Sequence, residues 1–116
     1  MLTFINSVPP WSGDTARNAL DMLMMAVSLD QDVQVVFTDD GVYQLLAQRA
    51  ELLETKNPLA KYRVLIDIFE LEKIYVLQSA LTERNLQPQL LHIQAQPISD
   101  AEFAELLSQS TKVVRF

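Results

Sequence analysis

The amino-acid sequence predicts an α/β protein, a three-layer α/β/α sandwich built around a mostly parallel sheet of about five strands. The first observation is the run Val33–Phe37, which is short, apolar and rich in β-branched residues, as in strands buried on both faces. The second is that a helical segment follows this run after only two or three residues. The third is the alternation of short apolar runs with amphipathic segments along the chain, which is typical of parallel strands joined by helices.

Composition excludes several classes of protein. The 116 residues predict a single domain over 1–116, and a hydrophobic content of 49% with only two glycines argues against disorder. No cysteine is present, which excludes disulfides, thiolate metal sites and a persulfide on this chain. A formal net charge of −6 argues against direct nucleic-acid binding. Without a signal segment or a membrane span in the sequence, we expect a cytoplasmic protein with no membrane partner.

The first strand and the first helix are predicted at the start of the chain. Leu2–Ile5 is a short apolar run, expected to be central in the sheet, and prolines 9 and 10 with Gly13 break regular structure after it. A helix is predicted from Thr15 to about Leu29, capped by a residue within Ser12–Asp14. Its sheet-facing stripe at helical spacing consists of Ala16, Leu20, Leu23 and Val27.

The opposite face of this first helix is apolar as well. Met22, Met25 and Leu29 lie roughly 180° around the helix from the sheet-facing stripe. Two interpretations are open: these side chains are covered by a further layer of the same chain, or they contact another subunit. They are the candidate interface residues of the sequence.

Two aspartates follow the central strand. A helix is predicted over Gly41–Leu46, and Asp39 or Asp40 before it can accept hydrogen bonds from the free backbone N–H groups of its first turn. The same pair could hold Mg²⁺, but oxygen sites normally recruit a further carboxylate from another loop. Capping is the favoured interpretation.

The second half of the chain continues the alternation. A polar connection over Glu51–Asn57 precedes Pro58, and Ser99 with Glu102 fits a capping box. The remaining elements are a helix over Leu59–Leu71, a strand over Lys73–Leu77, a turn at Gln78–Ser79, a short helix over Ala80–Asn85, a strand or extended edge at Leu90–Ile93, a lead-in at Pro97–Asp100 and a final strand over Lys112–Phe116.

Other candidate sites are weak. Ser12–Thr15 is similar to the hydroxyl-rich loops that hold a flavin phosphate, but Asp14 would repel that phosphate. His92 is the only histidine, and no orienting partner for it can be identified. The sequence contains no nucleophile motif and no phosphate-binding glycine loop. We therefore predict no cofactor, no metal and no catalytic residue.

Five segments carry a family resemblance over nearly the whole chain. They are Arg17–Leu23, Phe37–Leu46, Phe69–Val76, Ala80–Leu86 and Val113–Phe116, of which the block DDGVYQLL beginning at Asp39 is the most specific. In order and spacing they resemble the TusC/DsrF subunits of the DsrE/F-like sulfur-relay family. The resemblance implies a DsrE-like, flavodoxin-like fold.

The resemblance also implies partners and a pathway. Such subunits belong to TusBCD-like assemblies, usually dimers of heterotrimers, so TusB-like and TusD-like partners are expected, with an indirect link to a TusE-like carrier and a tRNA thiolase. The relay passes persulfide sulfur toward 2-thiolation of the tRNA wobble uridine. A DsrF-like role in intracellular sulfur oxidation would share the fold and the assembly, and the sequence does not separate the two pathways.

The place of the relay cysteine is the clearest departure from a sulfur carrier. The resemblance implies that the sulfur-bearing cysteine lies at the end of the third strand, within the stretch matching Val76–Leu81, and Leu77 occupies that place. An alkyl side chain cannot form a persulfide, which implies a structural, non-catalytic subunit. The alternative is an independent ligand-binding or phosphoacceptor domain using Asp39 and Asp40, although a receiver-type domain needs an aspartate where Gln78–Ser79 stand.

Overall fold

The computed structural model describes residues 2–9, 15–29, 32–45, 73–87 and 95–116. Strands and helices alternate along these ranges, which confirms the predicted α/β class. The elements are β1 (Leu2–Asn6), α1 (Thr15–Ser28), β2 (Val33–Phe37), a 3₁₀ helix (Asp39–Leu45), β3 (Ile74–Leu77), α2 (Gln78–Glu83), β4 (Gln96–Ile98), α3 (Asp100–Ser108) and β5 (Lys112–Arg115).

The five strands form one sheet in the order β4-β3-β2-β1-β5, and every pairing is parallel. Strand β2 is the middle strand, and all five of its residues are buried. This agrees with the apolar, β-branched character of Val33–Phe37. Strand β1 has a neighbour on each side, as expected of an interior strand, although β2 rather than β1 lies at the centre.

The main hydrophobic core lies on one face of the sheet, called here the first face. Parallel neighbours in register share a face, so Phe4, Val35 and Ile74 lie side by side there. The core residues of this face and of the helices packed on it are Phe4, Leu20, Leu23, Ala26, Val33, Val35, Phe37, Val42, Leu45, Ile74, Val76, Ala80, Leu81 and Ala95.

Helix α1 packs on the first face through the predicted stripe in part. Leu20 and Leu23 are fully buried, as predicted, and Val27 is half-buried. Ala19 and Ala26 are buried as well, because small side chains let the helix approach the strands closely. The side chain of the fourth predicted member, at position 16, lies outside the described residues.

The opposite face, called here the second face, carries α3. Side chains alternate along a strand, so Gln34 points away from its neighbours Val33 and Val35. It lines a groove together with residues of α3, which places that helix on the second face. With α1 on one face and α3 on the other, the predicted three-layer arrangement is confirmed for the described elements.

Two predicted boundaries in the second half are wrong. The fourth strand is Gln96–Ile98, a stretch that the sequence assigned to the lead-in of the last helix. Strand β4 is an edge strand, where a proline such as Pro97 is tolerated because a missing N–H costs least there. Helix α2 begins directly at Gln78, so the expected turn at Gln78–Ser79 is instead its first turn.

The predicted capping box at the start of α3 is confirmed. The hydroxyl of Ser99 accepts a hydrogen bond from the backbone N–H of Glu102 at 3.1 Å, and the Glu102 carboxylate accepts from the Ser99 N–H at 3.0 Å. Both bonds satisfy groups that a helix start leaves without partners.

Several predictions fall outside the described residues. They are the cap within Ser12–Asp14 and the associated phosphate loop, the connection Glu51–Asn57, the helix Leu59–Leu71, the possible strand Leu90–Ile93 and the histidine His92. Among the helices that are described, none has the length and apolar character needed to span a lipid bilayer.

Candidate functional site

The carboxyl ends of the parallel strands meet along one edge of the sheet, where sites of open α/β folds are commonly built. At this edge the chain leaves β2 through Thr38, whose backbone N–H donates to the carbonyl of Asn6 at the end of β1 (2.9 Å). Thr38 in turn accepts a hydrogen bond from the N–H of Gly41 at 2.8 Å. The buried Gln44 side chain donates to the carbonyl of Val8 at 2.9 Å. The 3₁₀ helix is therefore fixed against the loop that follows β1.

Asp40 contacts an arginine of the next helix. The Nη2 and Nε atoms of Arg84 donate to Asp40 Oδ1 at 2.8 and 3.0 Å, and Arg84 Nη1 donates to the carbonyl of Ala80 at 3.1 Å. The hydrogen bonds to Asp40 raise the pKa of the Arg84 guanidinium above its ordinary value. Arg84 is 17% exposed and Asp40 is 53% exposed, so the pair is partly screened by solvent. It connects α2 to the 3₁₀ helix.

Asp39 has a different surrounding. Its backbone has φ of +48°, a left-handed conformation that aspartate adopts more readily than most residues. Its Oδ2 lies 3.7 Å from Nη2 of Arg115, at the end of β5, and 3.5 Å from the hydroxyl of Thr38. Both aspartates lie within the first turn of the 3₁₀ helix, so Thr38, and not an aspartate, precedes it. The predicted position of the cap is therefore wrong: neither aspartate precedes the helix, because both belong to its first turn.

The carboxylates do not assemble a metal site in the part of the chain that is described. No group of three or more histidine, aspartate or glutamate side chains lies close enough together there to hold a metal ion. The arginine contacts of Asp39 and Asp40 instead place positive charge where a cation would have to bind.

Leu77 ends β3 and lies in register with Ile98 of β4. It immediately precedes α2, with extended backbone angles of φ −74° and ψ 119°. Its half-buried side chain packs against the main core. The residue is thus at a strand-to-helix junction of the carboxyl edge, and its side chain supplies packing but no nucleophile, acid or base.

Two further contacts close this edge. The Ser79 hydroxyl donates to Asp100 Oδ1 at 2.9 Å and links the starts of α2 and α3. The backbone N–H and the hydroxyl of Ser7 both donate to the carbonyl of Phe116, whose own N–H donates to Ile5. These contacts hold the edge without leaving a reactive arrangement of nucleophile and base among the described residues.

The exposed apolar surface of α1 is the most conspicuous feature outside this edge. Met22, Met25 and Leu29 are 46%, 65% and 66% exposed. These fractions agree with the expectation that the three side chains face outward, and no described element of the chain covers them. Their role as an interface is not tested by the single chain and stays a prediction.

A groove on the second face was not anticipated from the sequence. It has a volume of about 390 Å³ and lies between α3 and strands β2, β3 and β4. The described residues that line it are Gln34, Tyr75, Gln96, Ile98, Glu102, Glu105, Leu106 and Gln109. The sequence indicates this groove only through polar residues at alternate positions of otherwise apolar strands. That pattern shows which side chains share the second face, but it does not show that a groove forms there. We refer to it below as the second-face groove.

Comparison with known proteins identifies the relatives of this chain. The model of the DsrE/DsrF-like family matches residues 1–116. The chain is 31% identical over 116 residues to "Protein TusC homolog" of Aliivibrio fischeri, covering 99% of this chain and 98% of that protein. It is 28% identical over 117 residues to "Protein TusC" of Escherichia coli O157:H7, with the same coverage. Among solved structures, the crystal structure of the ychN protein from E. coli matches with a TM-score of 0.84 at 15% identity, over 99% of this chain and 97% of that one.

Proposed function

Because the chain belongs to the DsrE/DsrF-like family, we propose that it is a non-catalytic subunit of a TusBCD-like sulfur-relay complex. The relay in question passes persulfide sulfur toward 2-thiolation of the tRNA wobble uridine. The relatives named TusC, similar over nearly their whole length, favour this pathway over intracellular sulfur oxidation. A subunit that takes part in tRNA thiolation is expected in the cytoplasm.

The observation that carries the proposal is the chemistry of Leu77 in a chain without cysteine. A persulfide forms on a thiolate sulfur, and this chain of 116 residues has none. Leu77 lies at the strand-to-helix junction where the family resemblance implies the relay cysteine, and it contributes only packing. The sulfur-bearing residue of the complex therefore belongs to another subunit.

The partners that fit this role are TusB-like and TusD-like subunits in a dimer of heterotrimers. The exposed surface formed by Met22, Met25 and Leu29 supports a subunit contact, because such side chains are unfavourable in water. Methionine adapts to irregular surfaces, which suits a contact between related but non-identical chains. A TusE-like carrier and a tRNA thiolase would then act downstream of the complex.

An independent ligand-binding domain built on Asp39 and Asp40 has less support. Both carboxylates contact arginines, and the described residues offer no third carboxylate beside them for a divalent cation. The end of β3 carries Leu77 and Gln78 where a phosphoacceptor domain would need an aspartate.

The test follows labelled sulfur through the native complex. The untagged complex is purified, its subunits are identified from their intact masses, and it is incubated with a cysteine desulfurase, small carriers and radiolabelled cysteine. We expect thiol-removable label on a cysteine-bearing partner and none on this chain. We also expect that deleting its gene abolishes 2-thiouridine in tRNA. Covalent label on this chain, or unchanged 2-thiouridine after deletion, would refute the proposed function.

A further inference from the structure

Gln34 forms the buried floor of the second-face groove. It belongs to the middle strand β2 and is only 5% exposed, yet it lines the groove. Its Nε2 donates to the hydroxyl of Thr3 at 2.8 Å. Its carbonyl oxygen Oε1 makes no hydrogen bond to any described residue. Among the described residues, Gln34 Oε1 is not one of the side-chain polar atoms that are buried without a partner, so it is open to the groove and can accept a hydrogen bond from a molecule bound there.

A chain of hydroxyl groups fixes which way this amide points. Ser110 donates its hydroxyl hydrogen to the carbonyl of Leu106 at 2.9 Å, so it can only accept from Thr3. Thr3 then uses its own hydrogen on Ser110 and must accept from Gln34. Only the NH₂ group of Gln34 can donate, so the Oε1 atom is the one left free as an acceptor. The orientation follows from the direction of every bond and not from a choice of amide rotamer.

The remaining walls of the second-face groove favour a cation with an apolar stem. Glu102 and Glu105 supply two carboxylates, and no lysine or arginine is among the described lining residues. Ile98 and Leu106 supply apolar wall, and Tyr75 supplies an aromatic ring. The volume of about 390 Å³ lies within the range of roughly 300–1,000 Å³ common for small-ligand pockets.

We propose that the second-face groove binds a guanidinium group, carried either by an arginine side chain of a partner protein or by a free small guanidine. A guanidinium is planar and has five diverging donors, so it can reach the Gln34 oxygen and a carboxylate at once while lying against an aromatic ring. A compact ammonium has no planar face and is more strongly hydrated. This site does not depend on the sulfur-relay role, since it lies on the second face and uses neither Leu77 nor the ion pair between Asp40 and Arg84.

Ligand-observed saturation-transfer NMR on the full chain, together with any subunits that accompany it, tests the proposal. The probes are the peptide Ac-Gly-Arg-Gly-NH₂, its lysine counterpart and free agmatine. We expect saturation transfer to the guanidinium-bearing probes and weaker transfer to the lysine peptide. Tighter binding of the peptide identifies a protein side chain as the source, and tighter binding of agmatine identifies a free guanidine.

Two variants locate the binding. Gln34→Leu removes the acceptor at the floor of the groove and should weaken binding by about tenfold or more, since hydrogen bonds to charged groups are the strong ones. Glu105→Gln, on the exposed side of α3, should weaken it by about threefold without risk to folding. The matched control Glu83→Gln removes the same charge from α2, outside the groove, and should leave binding unchanged. Equal binding of the lysine peptide, no binding of any probe, or unchanged binding in both groove variants would overturn the proposal.

Discussion

Gly41 lies directly against the carbonyl of Asn6, so closely that a Cβ atom at position 41 would be 2.0 Å from that oxygen and 2.6 Å from its carbon. The contact joins the first turn of the 3₁₀ helix to the end of β1. The obstacle is main chain and not the tip of a flexible side chain, so it cannot move aside cheaply. The block DDGVYQLL therefore needs glycine at its third position for close packing.

Substituting this glycine gives the first prediction. We expect Gly41→Ala to lower the free energy of unfolding by about 3 kcal/mol, because the new methyl group forces β1 and the 3₁₀ helix apart. Urea denaturation followed by circular dichroism measures the change. Ser28→Ala, at an exposed position of α1, is the control and should change stability by less than about 0.5 kcal/mol. A Gly41→Ala protein as stable as the control would show that the contact is not required.

The ion pair between Asp40 and Arg84 gives the second prediction. A double-mutant cycle with Asp40→Asn and Arg84→Gln, each of which removes one charge of the pair, should show a coupling energy of about 0.5–1 kcal/mol, since the pair is partly exposed. The matched control is the pair Lys73 and Asp32, 3.3 Å apart and with both partners more exposed, which should couple more weakly.

The pH dependence of that coupling follows from the raised pKa of Arg84. A raised folded-state pKa means that the stabilisation is fully present below the unfolded pKa and is lost only as pH rises through the higher folded value. For an arginine both values lie above the working range of most experiments. The coupling measured at about pH 7 should therefore persist at about pH 10. A loss of coupling between these two pH values would contradict the assignment of Arg84 as the cation.

Magnesium provides the third prediction. With Asp39 and Asp40 in contact with arginines, we expect millimolar Mg²⁺ to leave the melting temperature unchanged within error. A ligand that binds only the folded state would raise it in a saturable way. Sodium chloride at the same ionic strength controls for general salt effects. A saturable rise specific to Mg²⁺, lost in Asp40→Asn, would revive the metal-site interpretation.

The sequence predicts those parts of the fold that depend on residues close together in the chain. Val33–Phe37 is a buried central strand because its β-branched side chains suit a surface packed on both sides. Ser99 and Glu102 form the expected capping box because both bonds close within one turn. The strand Gln96–Ile98 was missed because it is three residues long and contains proline, and only its edge position in the sheet permits it.

The features of the candidate sites that were missed depend on distant contacts. Asp40 and Arg84 are 44 positions apart, so their pairing exists only once α2 packs beside the 3₁₀ helix. The second-face groove takes residues from three strands and one helix. Its polar floor could be anticipated from the alternation around Gln34, but the groove needs the placement of α3. Only the exposed surface of α1 was visible in advance, because helical periodicity alone separates its two faces.

That exposed surface of α1 gives the last prediction. Burying what is still exposed of Met22, Met25 and Leu29 would contribute roughly 3–5 kcal/mol before association costs, which helps to drive a subunit interface. We expect Met25→Glu to leave the fold intact by circular dichroism, because the side chain is already 65% exposed. A charge placed in an apolar contact should weaken association with itself or with TusB-like and TusD-like partners by tenfold or more, or about 1.4 kcal/mol. Size-exclusion chromatography with light scattering, over a dilution series, measures this loss. Ala104→Glu, which adds the same charge at an exposed position of α3, should assemble as the wild type does. If Met25→Glu assembles normally, or unfolds outright, the surface formed by these three residues is not the subunit interface.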